Sequence, residues 1–185
     1  MSDNAEIKQP TTPDELLAMH DMLRSDPQRY LSVVNGWIRD DSANTDAIFS
    51  RHFVWMHVGM PDRALADLNN VIEHESEPDV MSLLSRGLVY RRMGQYEKAL
   101  EDFDRGEAIN PKEWERDVVF GLLYQADAHA RLGNENAALA CCARLPNDFW
   151  TPGIDGAPGG GKAEVADKLR QIAANVRRDN TTGTE

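Results

Sequence analysis

The chain repeats itself, and that constrains its fold more than any other feature. Three segments share one pattern: Gly59-Met-Pro-Asp-Arg-Ala64-Leu65, Gly94-Gln-Tyr-Glu-Lys-Ala99-Leu100 and Gly133-Asn-Glu-Asn-Ala-Ala138-Leu139. In each, a glycine stands five residues before the Ala-Leu pair and four residues after a ring: Trp55, Tyr90 and His129. The alanines recur after 35 and then 39 residues. A period of that length marks an array of supersecondary units, none of which can bury its apolar face alone.

The flanks of each glycine read as helices. From Asp79 to Met93, the residues Val80, Leu83, Leu84, Gly87, Leu88 and Tyr90 follow a 3.6-residue period. Ser76-Glu-Pro-Asp79 ahead of them resembles a capping box, with Pro78 tolerated in the first turn. From Tyr96 to Ile109, Ala99, Leu100, Phe103 and Ile109 make a second stripe, and Pro111 stops it. Gly94 supplies the backbone freedom for a tight turn between the two. Each copy is therefore expected to be an antiparallel helix pair.

The second copy, with Leu83, Gly87, Tyr90, Gly94, Tyr96, Ala99, Phe103 and Pro111, resembles the tetratricopeptide repeat. The first keeps Trp55, Gly59, Ala64 and Leu68 but has His52 where the family has a small residue. The third keeps Ala126, Gly133 and Ala138 but has Cys142 at the Phe position, and Pro146 shortens its second helix. The resemblance implies an all-α fold, an α-α superhelix of right-handed solenoid type.

The expected organisation is a disordered N-terminus over 1–11 and a helical repeat domain over 12–148. Within the latter come a degenerate pair at 12–43 and repeats at about 45–78, 80–113 and 114–148. The degenerate pair would place one helix at about Pro13 to Arg24 and start another at Asp26-Pro27, with Tyr30, Val34 and Trp37 inward; a plain capping pair fits those residues equally. Residues 146–161 hold three prolines and five glycines, so a Gly/Pro-rich loop is expected over 149–161. A C-terminal helix follows over 162–178, with Val165, Leu169, Ile172 and Val176 as its apolar stripe, and residues 179–185 read as a disordered tail. That helix carries five basic and two acidic residues, opposite in sign to the chain as a whole. It is expected to cap the exposed end of the array, the alternative being that it plugs the array's groove. Phe149 and Trp150 are expected to anchor the start of the loop.

Composition narrows the function. The chain has 185 residues, with 20 Lys and Arg against 31 Asp and Glu, a net charge of −11. A field of that sign repels nucleic acid and anionic lipid. No apolar run approaches the roughly 20 residues of a membrane span, and MSDNAEIKQP lacks the basic start and apolar core of a signal peptide. Cys141 and Cys142 are adjacent, which offers neither a disulfide framework nor a metal spacing. These features point to a reducing, cytoplasmic compartment.

The chemistry-bearing residues form no catalytic set. Gly156-Ala-Pro-Gly-Gly-Gly161-Lys162-Ala163 imitates a phosphate-binding loop, but it ends in Ala where Ser or Thr binds Mg²⁺, and no strand precedes it. His52 and His57 are five apart and do not share a helix face. Neither they nor His20, His74 and His129 form a ligand cluster. Cys142 reads as a buried small hydrophobe and Cys141 as more exposed. No enzyme activity, cofactor or metal is expected.

The resemblance implies that the first helix of each pair lines a concave face. The matching positions are Phe49, Phe53, Met56 and His57, then Met81, Leu84, Leu88, Arg91 and Arg92, then Phe120, Leu123, Asp127 and Arg131. The expected site is an apolar groove of Phe49, Phe53, Met56, Met81, Leu84, Leu88, Phe120 and Leu123. Arg91, Arg92 and Arg131 form its basic edge. Such a surface suits an amphipathic helix or an extended apolar peptide, and its arginines suit ligand carboxylates. Family members that grip the acidic tail of heat-shock chaperones carry Lys, Asn and Arg at positions held here by Phe49, Phe53, Ser85, Phe120 and Tyr124, so that clamp is missing. The expected function is a non-catalytic protein-interaction module or adaptor. The alternatives are a holder of aggregation-prone clients, as in secretion chaperones of similar layout, and a self-assembling scaffold, a homo-oligomer.

Overall fold

The computed structural model describes residues 7–77, 79–109, 111, 119–153 and 156–182. Nine α-helices and one two-stranded antiparallel pair make up the described residues, which fall into two compact units, 1–78 and 79–185. The fold is all-α, of the helical-repeat solenoid class.

The first unit holds α1 (Pro13–Ser25), α2 (Pro27–Asp40), α3 (Thr45–His57) and α4 (Pro61–His74). Local chemistry starts them. Thr12 and Glu15 form a capping box on α1, and the side chains of Asp26 and Asn44 accept backbone N–H bonds at the starts of α2 and α3. Met19, Tyr30, Val34, Ala47 and Val54 form the core, flanked by Trp37 and Trp55. Residues 7–11, which fall in the N-terminus expected to be disordered, are held to this unit. Ile7 packs on this core, the Trp37 indole N–H donates to its carbonyl at 2.6 Å, and Gln9 Nε2 donates to Asn44 Oδ1 at 3.0 Å. Residues 1–6 lie outside the described part.

The second unit holds α5 (Val80–Arg92), α6 (Tyr96–Ile109), α7 (Val119–Arg131) and α8 (Glu135–Arg144). The strands β1 (Trp150–Thr151) and β2 (Gly160–Gly161) then pair, and α9 (Lys162–Thr182) closes the chain. Asp79 alone supplies the cap of α5, accepting from Met81 N and Ser82 N, in place of the expected capping box; Pro78 is not among the described residues. Gly59, Gly94 and Gly133 all sit at φ of 75° to 78°, the left-handed conformation each helix–helix turn requires. α8 runs for ten residues against 14 in α6, as Pro146 dictates.

Two features of the repeat appear only in three dimensions. Arg51 grips Asp67 with Nη2–Oδ1 at 2.6 Å, and Arg86 grips Asp102 with Nη2–Oδ1 at 2.7 Å, so these two helix pairs are each tied by a guanidinium and a carboxylate 16 residues on. The third pair has Gln125 and Cys141 at those positions, and Gln125 turns to Asp104 and Glu107 on α6, at 3.0 Å each. The second feature is a close approach. A Cβ on Gly87 would come within 2.4 Å of the fully buried Phe103 ring. The equivalent positions read His52/Leu68 in the first pair and Ala126/Cys142 in the third.

α9 packs on α8 and α7 with Val165, Leu169 and Ala173 fully buried, capping the last pair rather than plugging a groove. The buried stripe runs through Ala173 with Ile172 half-buried at its side, one residue out of the phase expected from Ile172. The helix extends to Thr182, beyond the Arg178 expected, and Arg177 pairs with Glu135. Lys162, the lysine of the phosphate-loop imitation, caps α8 by donating from Nζ to the carbonyls of Ala143 and Leu145 at 2.7 and 2.6 Å.

Candidate functional site

The first helix of each pair carries the expected stripe, and the three stripes fare differently. On α3, Phe53 is 43% exposed, with its ring 3.9 Å from that of His52 and edge-on to Phe49 at 5.6 Å. Phe49 and Met56 are half-buried. Phe53 also borders an apolar cavity of about 290 Å³, lined with it by Leu16, Met19, Leu23, Tyr30 and Trp37. Leu16 at its edge is 57% exposed, and the neighbouring Leu17, which does not line the cavity, is 60% exposed. Sequence reasoning gave α1 a packing role and missed this second wall. The signal was the uninterrupted Leu16-Leu17 pair, which a helix buried on one face alone cannot fully hide.

His52 occupies the small-residue position by going inside. It is buried, its Nδ1–H donates to the Phe49 carbonyl, and burial pushes its pKa down to about 4. The imidazole is neutral at physiological pH and serves as packing.

On α5, Met81 and Arg92 are exposed and Leu88 is half-buried. Leu84 and Arg91 are corrections. Leu84 is buried in the core that includes Phe103. Arg91 is buried too, with Nη1 2.6 Å from Asp127 Oδ2 and its guanidinium 4.9 Å above the Tyr124 ring. A cation this enclosed needs its carboxylate and is not offered to a ligand.

On α7 the expected stripe is covered by the chain itself. Leu123 is fully buried. Phe149 sets its ring 6.0 Å from Phe120, edge to face, and Ala157 joins the same core. Arg131 Nη2 donates to the Gly156 carbonyl at 2.9 Å, while its Nε sits 2.9 Å from Asp127 Oδ2. Phe120, Leu123 and Arg131 are therefore not an open groove, because Phe149 lies against Phe120 at one end of α7 and Gly156 against Arg131 at the other. Of the expected basic edge, Arg92 alone stands exposed.

The family model of the tetratricopeptide repeat matches residues 80–113. That copy is a tetratricopeptide repeat. Solved structures agree on the fold. A structure described as MamA has a TM-score of 0.62 at 11% identity, covering 94% of this chain and 99% of its own. MamA 41-end from Desulfovibrio magneticus RS-1 gives 0.60 at 12%, covering 89% and 93%. YrrB, described as a TPR protein with an unusual peptide-binding site, gives 0.58 at 16%, covering 97% and 91%. No curated protein sequence matches the chain.

The chemistry-bearing groups stay apart. Among the described residues no three His, Cys, Asp or Glu side chains converge as a metal site, and no helix is long and apolar enough to cross a membrane. Both cysteines are free. Burial pushes the Cys141 thiol up to about 11 and raises Cys142 as well, so neither is an activated nucleophile.

Proposed function

We propose that this protein is a non-catalytic interaction module that binds a peptide or helix of a protein partner on the exposed apolar faces of its first helices. The single observation that carries this reading is the exposure of Phe53 and Met81. Both are large apolar side chains on the ligand-facing stripes of α3 and α5, where burial would otherwise be expected. Phe49, Met56 and Leu16 extend the surface in the first unit, and Leu88 and Arg92 in the second. That YrrB, of the same fold, has a peptide-binding site accords with this use of the scaffold. Free cysteines and the acidic charge fit an adaptor in a reducing, cytoplasmic setting.

The test is retention of a partner from native lysate by wild type, Phe53→Glu and Met81→Glu, with circular dichroism on all three. Both side chains are exposed, so helicity should hold while a stoichiometric partner is lost. A partner retained equally by both variants would refute binding on these faces.

A further inference from the structure

The second unit contains an example of what a first-helix stripe holds. On α7, the stripe Phe120, Leu123, Asp127, Arg131 is occupied by the chain's own segment: Phe149 presents a ring to Phe120, and the Gly156 carbonyl accepts from Arg131 at 2.9 Å. Subtracting the repeat spacing of 39 residues gives the α5 stripe Met81, Leu84, Leu88, Arg92. The two ends of that stripe, Met81 and Arg92, are exposed.

We propose that the α5 stripe binds an extended partner segment led by an aromatic residue, with its ring on Met81 and a main-chain carbonyl on Arg92. This rests on the peptide-binding reading above and names the chemistry of the ligand. The geometry transfers because both stripes span 11 helical residues, about 16 Å. An extended chain covers about 3.3 Å per residue, so at least five residues must separate ring and carbonyl, and Phe149 to Gly156 supplies seven. The end groups transfer as well. A methionine thioether accepts the edge of an aromatic ring as Phe120 does, and it adapts to rings of different size. Arg92 repeats the guanidinium of Arg131. Position 88 is Leu where α7 has Asp127, so Arg92 lacks the neighbouring carboxylate that Arg131 shares with Arg91. The α5 stripe therefore favours a segment with an acidic side chain near its bound carbonyl.

The probe is a fluorescein-labelled peptide with the sequence of residues 149–157, Phe-Trp-Thr-Pro-Gly-Ile-Asp-Gly-Ala, titrated into the full chain and read by anisotropy. Saturable binding is expected, weakened about tenfold or more by Met81→Glu, by Arg92→Glu, and by Ala in place of the peptide's Phe. Circular dichroism should be unchanged in both protein variants. Absence of saturable binding would overturn the proposal. So would binding indifferent to Met81→Glu, since the peptide would then only be displacing its own copy from α7. If a lysate partner is lost with Phe53→Glu while the probe ignores Met81, the interaction module survives and this ligand chemistry falls.

Discussion

Replacing Gly87 with Ala tests whether the helix pairs are set by close approach. The added Cβ would meet three Phe103 ring atoms at 2.4, 2.7 and 3.1 Å, where ordinary contact begins at 3.4 Å. The ring would have to retreat by about 1 Å, and it is backed by Tyr124, stacked on it at 6.4 Å and 26°. Overpacking of this kind costs about 1–3 kcal/mol. Ala in place of Gly in a helix interior returns about 1 kcal/mol. With overlap this deep the packing cost lies at its upper end, so Gly87→Ala should lose about 1–2 kcal/mol in urea denaturation followed by far-ultraviolet circular dichroism. Phe103→Leu, which reproduces the Leu68 of the first pair, should lose about 1–2 kcal/mol alone by leaving a cavity. The double variant should recover about 1 kcal/mol or more of the summed loss, because the new methyl fills space the ring vacated. A Gly87→Ala protein as stable as wild type, or a strictly additive double variant, would refute the reasoning.

Three further outcomes follow from buried groups. Asp127→Asn removes the buried carboxylate that Arg91 and Arg131 share, so it should cost about 3 kcal/mol in the same denaturation assay. His52 has its pKa depressed from 6.5 to about 4 by burial, so between those pH values the unfolded chain binds a proton that the folded chain refuses. Stability should fall as pH drops through that window, by about 3 kcal/mol at its lower end, and His52→Gln should remove this component from the pH profile of denaturation. Leu84→Glu should collapse helicity because Leu84 is core, whereas Met81→Glu, three residues away on the same helix, should leave the circular dichroism spectrum unchanged.

Much of the fold is legible in the residues, because the repeat makes its case three times. The glycines at 59, 94 and 133 mark the turns, and the Ala-Leu pairs five residues on mark the second helices. The site is less legible, for a physical reason. A 3.6-residue period says which residues share a face but not what lies on it, so Met81, which is exposed, and Leu84, which is not, look alike in sequence. Arg91 and Arg92 differ by one helical step of about 100°, enough to place one guanidinium against Asp127 and leave the other in solvent. The covering of α7 was beyond the pattern altogether. A stretch rich in glycine and proline reads as a loop, and composition does not say where a loop lies. The tie between Arg51 and Asp67, repeated as Arg86 and Asp102, was in principle visible, since both members recur after 35 residues.

The third copy departs from the first two on both of its faces, and the departures fit one role. Its helix pair has lost the Arg–Asp tie, and Gln125 on α7 bonds back to α6 instead, joining the copy to its predecessor. Its second helix ends early at Arg144, and the chain then uses the freed length to cross α7 with Phe149 and Gly156 before α9 seals the far side. Gly121 to Ala128 are buried without exception, a density of burial that α5 does not reach. A helix enclosed on every side has no face left for a partner. The copy that ends the array has thus become its terminus, with its recognition stripe filled by a segment of the same chain. The equivalent residues Met81 and Arg92, one copy earlier, remain in solvent, where the proposed segment would meet the same two handholds.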